Sequence, residues 1–108
     1  MSQYRVVFRQ EALEQLEELY EFIADAGSPE NAADFTESIV SFCETLASFP
    51  LRGTARDDLR PGLRTIGYRR RVVIAFAVID TTVAIVGIFY GGRDHERMPG
   101  TAKYLSSR

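Results

Sequence analysis

The side chains best equipped to act on another molecule gather in the second half of the chain. Arg60, Arg64, Arg70, Arg71 and Arg93 supply guanidinium groups, Tyr68 and Tyr90 stand among them, and His95 follows two residues after Arg93. An arginine presents a planar fork of donors that fits a phosphate or a carboxylate through two parallel hydrogen bonds. Twelve of the thirteen basic residues are arginine, so bidentate recognition is favoured over diffuse charge. His95 is the one histidine, hence the one side chain whose ordinary pKa lies near neutrality. Metal-free cleavage of a phosphodiester needs cationic groups around the phosphate and a group that moves protons. Arg64, Arg70, Arg71, Arg93, His95, Tyr68 and Tyr90 are the residues that would supply them. A binding surface asks less: Arg60, Arg64, Arg70, Arg71 and Arg93 as a cationic patch, with Tyr68 and Tyr90 as aromatic anchors. Plainer readings stand beside these. Arg64 and Arg93 fit structural partners of an acid such as Asp94, Arg69-Arg70-Arg71 fits a turn kept soluble, and His95 fits a solvated tail.

Other chemistries have no foothold. No spacing suggests a metal site, and no glycine-rich loop suggests a nucleotide, so no cofactor is expected. Cys43 is the single cysteine, which excludes an internal disulfide and suits a reducing compartment. It lies beside Phe42 at the edge of an apolar stripe and reads as a packing residue. The first residues do not resemble a secretory leader. The longest apolar run, Val72 to Ile79, is far shorter than the ~20 residues of a membrane helix. A cytoplasmic protein without membrane contact is expected.

The net charge of −2 conceals a polarity. Residues 1–50 hold two basic groups against ten acidic ones, whereas residues 51–108 hold eleven basic against five acidic. One surface for a cationic partner and another for an anionic one would follow from that split.

At 108 residues the chain fits one domain, expected over 1–98 with a polar tail at 99–108. Tyr4 to Phe8 reads as a first strand. From Glu11 the period turns helical, with Ala12, Leu16, Leu19, Tyr20 and Ile23 on one stripe and Glu14, Glu17, Glu18 and Glu21 off it. Gly27 is expected to end this helix in a left-handed conformation. Ser28 and Pro29 open a second helix as N-cap and first helical residue. Ala32, Phe35, Ile39, Phe42, Leu46 and Phe49 form its apolar stripe, all expected in the core, and Pro50 and Gly53 close it. Residues 51–61 have no periodic pattern and read as a polar connection. Strands are expected at Leu63 to Ile66, Arg71 to Ile79 and Val83 to Tyr90, separated by turns at Gly67-Tyr68-Arg69 and Asp80-Thr81. The last two are apolar on both faces and should be central. The class is α+β: an N-terminal strand and an antiparallel helical hairpin packed on a mainly antiparallel sheet, in the order β-α-α-β-β-β.

Several motifs in this order are familiar together. They are Ala12-x-x-x-Leu16, Gly27-Ser28-Pro29, Ala32-Ala33-x-Phe35, Leu46-Ala47-x-Phe49-Pro50, Gly53, Asp58-Leu59-Arg60-Pro61-Gly62-Leu63-Arg64 and Gly91-Gly92-Arg93-Asp94. Across residues 4–98 the chain resembles the RelE/ParE toxin family of type II toxin–antitoxin systems, on its ParE-like branch. The resemblance implies a toxin neutralised by a cognate, ParD-like antitoxin in a hetero-oligomer. The acidic face of Glu14, Glu17, Glu18 and Glu21 would meet that antitoxin. It implies DNA gyrase as the target, inhibited by binding and without catalysis. The alternative within the family is a ribosome-dependent messenger RNA endoribonuclease, for which Arg64 resembles the phosphate-binding arginine and Arg93-x-His95 the C-terminal catalytic pair. Three features disfavour that alternative: a sequence pI near 5.4, one lysine in the terminal tail, and the Gly-Gly-Arg-Asp ending. The same acidity leads to an expectation of no direct DNA binding by the chain alone.

Overall fold

The computed structural model describes residues 4–91. Arg93, Asp94, His95, the expected boundary at 98 and the expected tail lie outside them. Strand β1 (Arg5–Phe8) leads into helix α1 (Gln10–Ala26), and α2 (Pro29–Glu44) follows. After a 3-10 turn (Thr45–Ala47) come β2 (Thr54–Ala55), β3 (Leu63–Tyr68), β4 (Val72–Ile79) and β5 (Thr82–Tyr90). The five strands lie in the order β1-β5-β4-β3-β2. β1 runs parallel to β5 and every other pair is antiparallel. The expected α+β class therefore holds, with the apolar strands β4 and β5 inside the sheet. No helix among these residues is long and apolar enough to cross a membrane.

The helical hairpin covers one face of the sheet. Ala12, Leu19, Ile39, Cys43 and Leu46 pack there against Val72, Ile74, Phe76, Val83, Ile85 and Ile88, all buried. Each large side chain so removed from water contributes roughly 1.5–3 kcal/mol. Leu63, Ala75 and Phe89 form a smaller cluster with Leu59 and Val86. Ser28 caps α2 as expected, its Oγ accepting from the Asn31 backbone N–H at 3.1 Å.

Four details depart from the sequence reading. Gly27 ends α1 with φ −143°, not left-handed, its N–H donating to the Ile23 carbonyl. The Tyr20 ring stands at the exposed edge of the α1 stripe. The second helix stops at Glu44, and a 3-10 turn winds three residues per turn instead of 3.6. That change keeps Leu46 buried and swings Phe49 out of the core to 66% exposure. The connection at 51–61 contributes the short β2, which pairs with Thr65 and Arg64 of β3.

A fifth departure matters most for the site. A β-bulge interrupts the β4–β5 ladder: Ala75 pairs with Gly87 and Phe76 with Ile85, leaving Val86 between them. An extra residue reverses the alternation of side chains beyond it. Val83 and Ile85 face the helices before the bulge, and Ile88 and Tyr90 face them after it. In an unbroken strand Tyr90 would point to the opposite face.

Candidate functional site

The bulge places Tyr90 in one row with Val72 and Tyr68, paired across the ends of β5, β4 and β3. β3 extends two residues further than its apolar pattern indicates, so the connection to β4 is Arg69-Arg70-Arg71. Arg69 and Arg70 both take positive φ, 53° and 68°. For residues with a Cβ this left-handed conformation costs about 1–2 kcal/mol each. The result is a hairpin tip with three exposed arginines.

Aromatic rings brace the tip. Tyr68 stacks on Phe42 of α2 with centroids 4.7 Å apart. The Arg69 guanidinium lies 5.3 Å above the Tyr68 ring and the Arg52 guanidinium 5.1 Å from the Phe42 ring, both within cation–π range. Arg52 also donates to Thr45 Oγ1 at 3.0 Å. Tyr90 meets Phe35 edge-on at 6.2 Å and Phe22 at 5.6 Å. Between these supports opens a cleft of about 460 Å³ lined by Asn31, Asp34, Phe35, Ser38, Arg69 and Tyr90. It offers a cation, a carboxylate and aromatic surface, a mixture suited to holding a protein surface.

Arg64 has a different role in the structure. Its Nε donates to the Arg52 carbonyl at 2.9 Å and its Nη2 to the Leu51 carbonyl at 3.0 Å, with the Gly53 carbonyl at 3.5 Å. The guanidinium thus clamps the chain entering β2. Gly53 completes the clamp, because its φ is +76° and a Cβ there would collide with the Thr65 carbonyl. Arg60 lies at the other end of β3, beside a cleft of about 200 Å³ shared with Arg9, Leu63, Ala77 and Ile79. The expected cationic set is therefore divided. Tyr68, Arg70, Arg71 and Tyr90 share one end of the sheet, Arg64 holds backbone, and Arg60 stands apart. Arg93 and His95 are not among the described residues.

The two aspartates of the connection serve its shape. Asp58 receives a two-point ion pair from Arg56, at 3.1 and 3.0 Å, and Asp57 accepts the Gly62 N–H at 2.9 Å. The hydrogen bond from Arg56 holds the Asp58 carboxyl below its ordinary value of 3.8. A carboxyl with a lowered folded-state pKa contributes stability above that ordinary value and loses it as pH falls through the folded one. Burial, with Glu44 as a lesser cause, pushes the Cys43 thiol up to about 12 and leaves it protonated. Among the described residues no three His, Cys, Asp or Glu side chains are placed to hold a metal ion.

On α1, Glu14, Glu17, Glu18 and Glu21 are exposed along one stripe, and Glu14 accepts a 3.1 Å hydrogen bond from Gln10. One buried polar residue went unread in the sequence. Gln15 is 8% exposed, and its Oε1 accepts the Ile88 N–H at 2.7 Å. β1 ends at Phe8, so the chain that would continue the ladder beside Ile88 has already become helix. A side-chain carbonyl takes the place of the missing strand. The signal was present: Gln15 lies three residues after Ala12 and four before Leu19, on the buried stripe.

Comparison with known proteins adds three findings. The family model for the ParE toxin of the type II toxin–antitoxin system parDE matches residues 6–95. A search of the curated proteins gives no match. Among solved structures, a chain described as "Chromosomal ParDE TA system from P. aeruginosa" superposes with a TM-score of 0.72 at 22% identity. The superposition covers 83% of this chain and 98% of that one.

Proposed function

The chain belongs to the ParE toxin family of type II toxin–antitoxin systems, and on that premise we propose that it halts growth by binding DNA gyrase in the cytoplasm until a cognate, ParD-like antitoxin captures it. The observation that carries this reading is the braced tip: Tyr68, Arg70, Arg71 and Tyr90 at one end of the sheet, with the backbone of the turn held in a costly conformation. Tight hairpin turns call for positive φ and favour Asn, Asp or Gly there, so two consecutive arginines in that conformation support a use for the side chains themselves. Rigid aromatic rings and arginines are also the side chains that dominate binding energy at protein interfaces. Arg64 supports the same reading from the other side. A guanidinium engaged with three carbonyls is poorly placed to neutralise a phosphate.

The acidic stripe of Glu14, Glu17, Glu18 and Glu21 is assigned to the antitoxin, whose cationic side chains it would attract. Induction of the protein alone, with pulse-labelling of DNA and protein synthesis, tests the reading. DNA synthesis is expected to fall first, with rescue by the neighbouring gene. Arg70→Ala with Arg71→Ala is expected to reduce toxicity by roughly tenfold or more with no loss of fold. Protein synthesis stopping first would replace gyrase with the ribosome as target.

A further inference from the structure

Among the described residues, the side chains of Arg69, Arg70 and Arg71 at the hairpin tip make no hydrogen bond and no ion pair. Arg69 is held by a ring instead, its guanidinium 5.3 Å from the centroid of Tyr68. Tyr68 stacks on Phe42, and the Arg52 guanidinium lies 5.1 Å from the Phe42 centroid. The contacts run Arg69–Tyr68–Phe42–Arg52, with a cation at each end and two rings between. That series joins the β3–β4 hairpin to α2 and to the connection before β2. A guanidinium is drawn to the negative face of a ring, so each contact selects one placement from the many open to a free arginine.

The Arg52 end of the series is anchored twice. Its guanidinium donates to Thr45 Oγ1 at 3.0 Å, and that hydroxyl donates to the Phe42 carbonyl at 2.6 Å. Its backbone is gripped from β3, where Arg64 Nε donates to the Arg52 carbonyl at 2.9 Å and Nη2 to the Leu51 carbonyl at 3.0 Å. Arg64 and Tyr68 lie four residues apart on β3 and so point to the same face. The strand therefore closes a circuit: one end grips Arg52, the other carries the ring that holds Arg69. No member of the circuit is free to move alone.

We infer that Arg52 and Arg64 are positioning residues for the target-binding tip. Arg64 fixes the Arg52 backbone, and Arg52, through Phe42 and Tyr68, fixes Arg69 and the turn that presents Arg70 and Arg71. A surface ordered before it meets its partner binds more tightly, because less freedom is lost on contact. The inference rests on the reading of the tip as the target contact and names what holds that contact in shape. It also makes Arg64 necessary for full toxicity with no phosphate for it to touch.

The test combines inhibition of purified DNA gyrase in a supercoiling assay with the NMR shifts of the Arg69 side chain, using the full chain. In the natural chain the ring current of Tyr68 is expected to move the Arg69 δ protons upfield, a signature independent of activity. Arg52→Gln should reduce that shift and raise the half-inhibiting concentration about fivefold, the effect of losing one cation–π contact. Arg52→Lys, which returns a cation to the Phe42 ring, should restore most of both. Arg64→Lys, with one ammonium for several carbonyls, should behave like Arg52→Gln. Arg56→Gln, which removes the cation paired with Asp58 in the same connection, should change neither readout. If Arg52→Gln and Arg64→Lys leave both readouts as in the natural chain, the positioning role is overturned while the tip reading stands. If the Arg69 shifts move and inhibition does not, the circuit serves the fold alone, and the positioning role and the tip reading fall together. If the natural chain does not inhibit gyrase, that target is overturned, and growth after induction decides the positioning role with the same variants.

Discussion

Gln15 shows how one side chain substitutes for a strand. Its carbonyl oxygen meets the Ile88 N–H where β1 has already given way to α1. Gln15→Leu keeps the volume and removes the acceptor, so the buried N–H loses its partner. The expected cost is about 1–3 kcal/mol, read as a lower midpoint in urea unfolding with an unchanged slope. An unchanged midpoint would mean that the bond contributes nothing. Gln15 was legible as a polar residue on an apolar stripe, although its partner was not, because the partner is 73 residues away. Arg64 teaches the opposite lesson. Its type and neighbours suggested phosphate recognition, yet the acceptors it holds are main-chain carbonyls, which carry no mark in a sequence.

At the scale of elements, helices and inner strands were readable because their apolar periods are long. The Ser28 cap, the two helices, β4 and β5 all follow from spacing. What escaped was set by local backbone geometry. Nothing in the apolar run from Val83 to Tyr90 marks the bulge at Val86, since both faces of β5 are apolar. Phe49 kept the helical spacing while the backbone beneath it had tightened to a 3-10 turn. The Arg69-Arg70 tip gives the prediction at this scale. Replacing the pair with Asn-Gly, residues at ease with positive φ, should raise stability by about 1 kcal/mol. Toxicity should fall at the same time, as measured by thermal melting beside growth after induction. A chain that becomes both more stable and equally toxic would show that the tip is structural alone.

For the whole molecule, charge is as organised as the fold. The acidic hairpin and the arginine-rich second half were visible as a split in the sequence. That the acidic groups ride on the two helices while Arg64 lies on the sheet and Arg69, Arg70 and Arg71 at its hairpin tip came only with the structure. Repulsion within the hairpin predicts that added salt raises the melting temperature of the free chain while weakening its hold on the antitoxin. A fall in both would place the main electrostatic effect elsewhere. The sheet order carries one more consequence. β1 is made before every other described element and lies beside β5, the last strand among the described residues, with Arg5 opposite Thr82. A nascent chain that stops before β5 leaves β1 without a neighbour and the helices without half of their apolar floor. Premature stop codons anywhere up to the β5 codons should therefore disarm the product as fully as one near the start. A cell escaping this protein by mutation would then yield nonsense alleles spread along the gene, with no toxic fragment surviving among them.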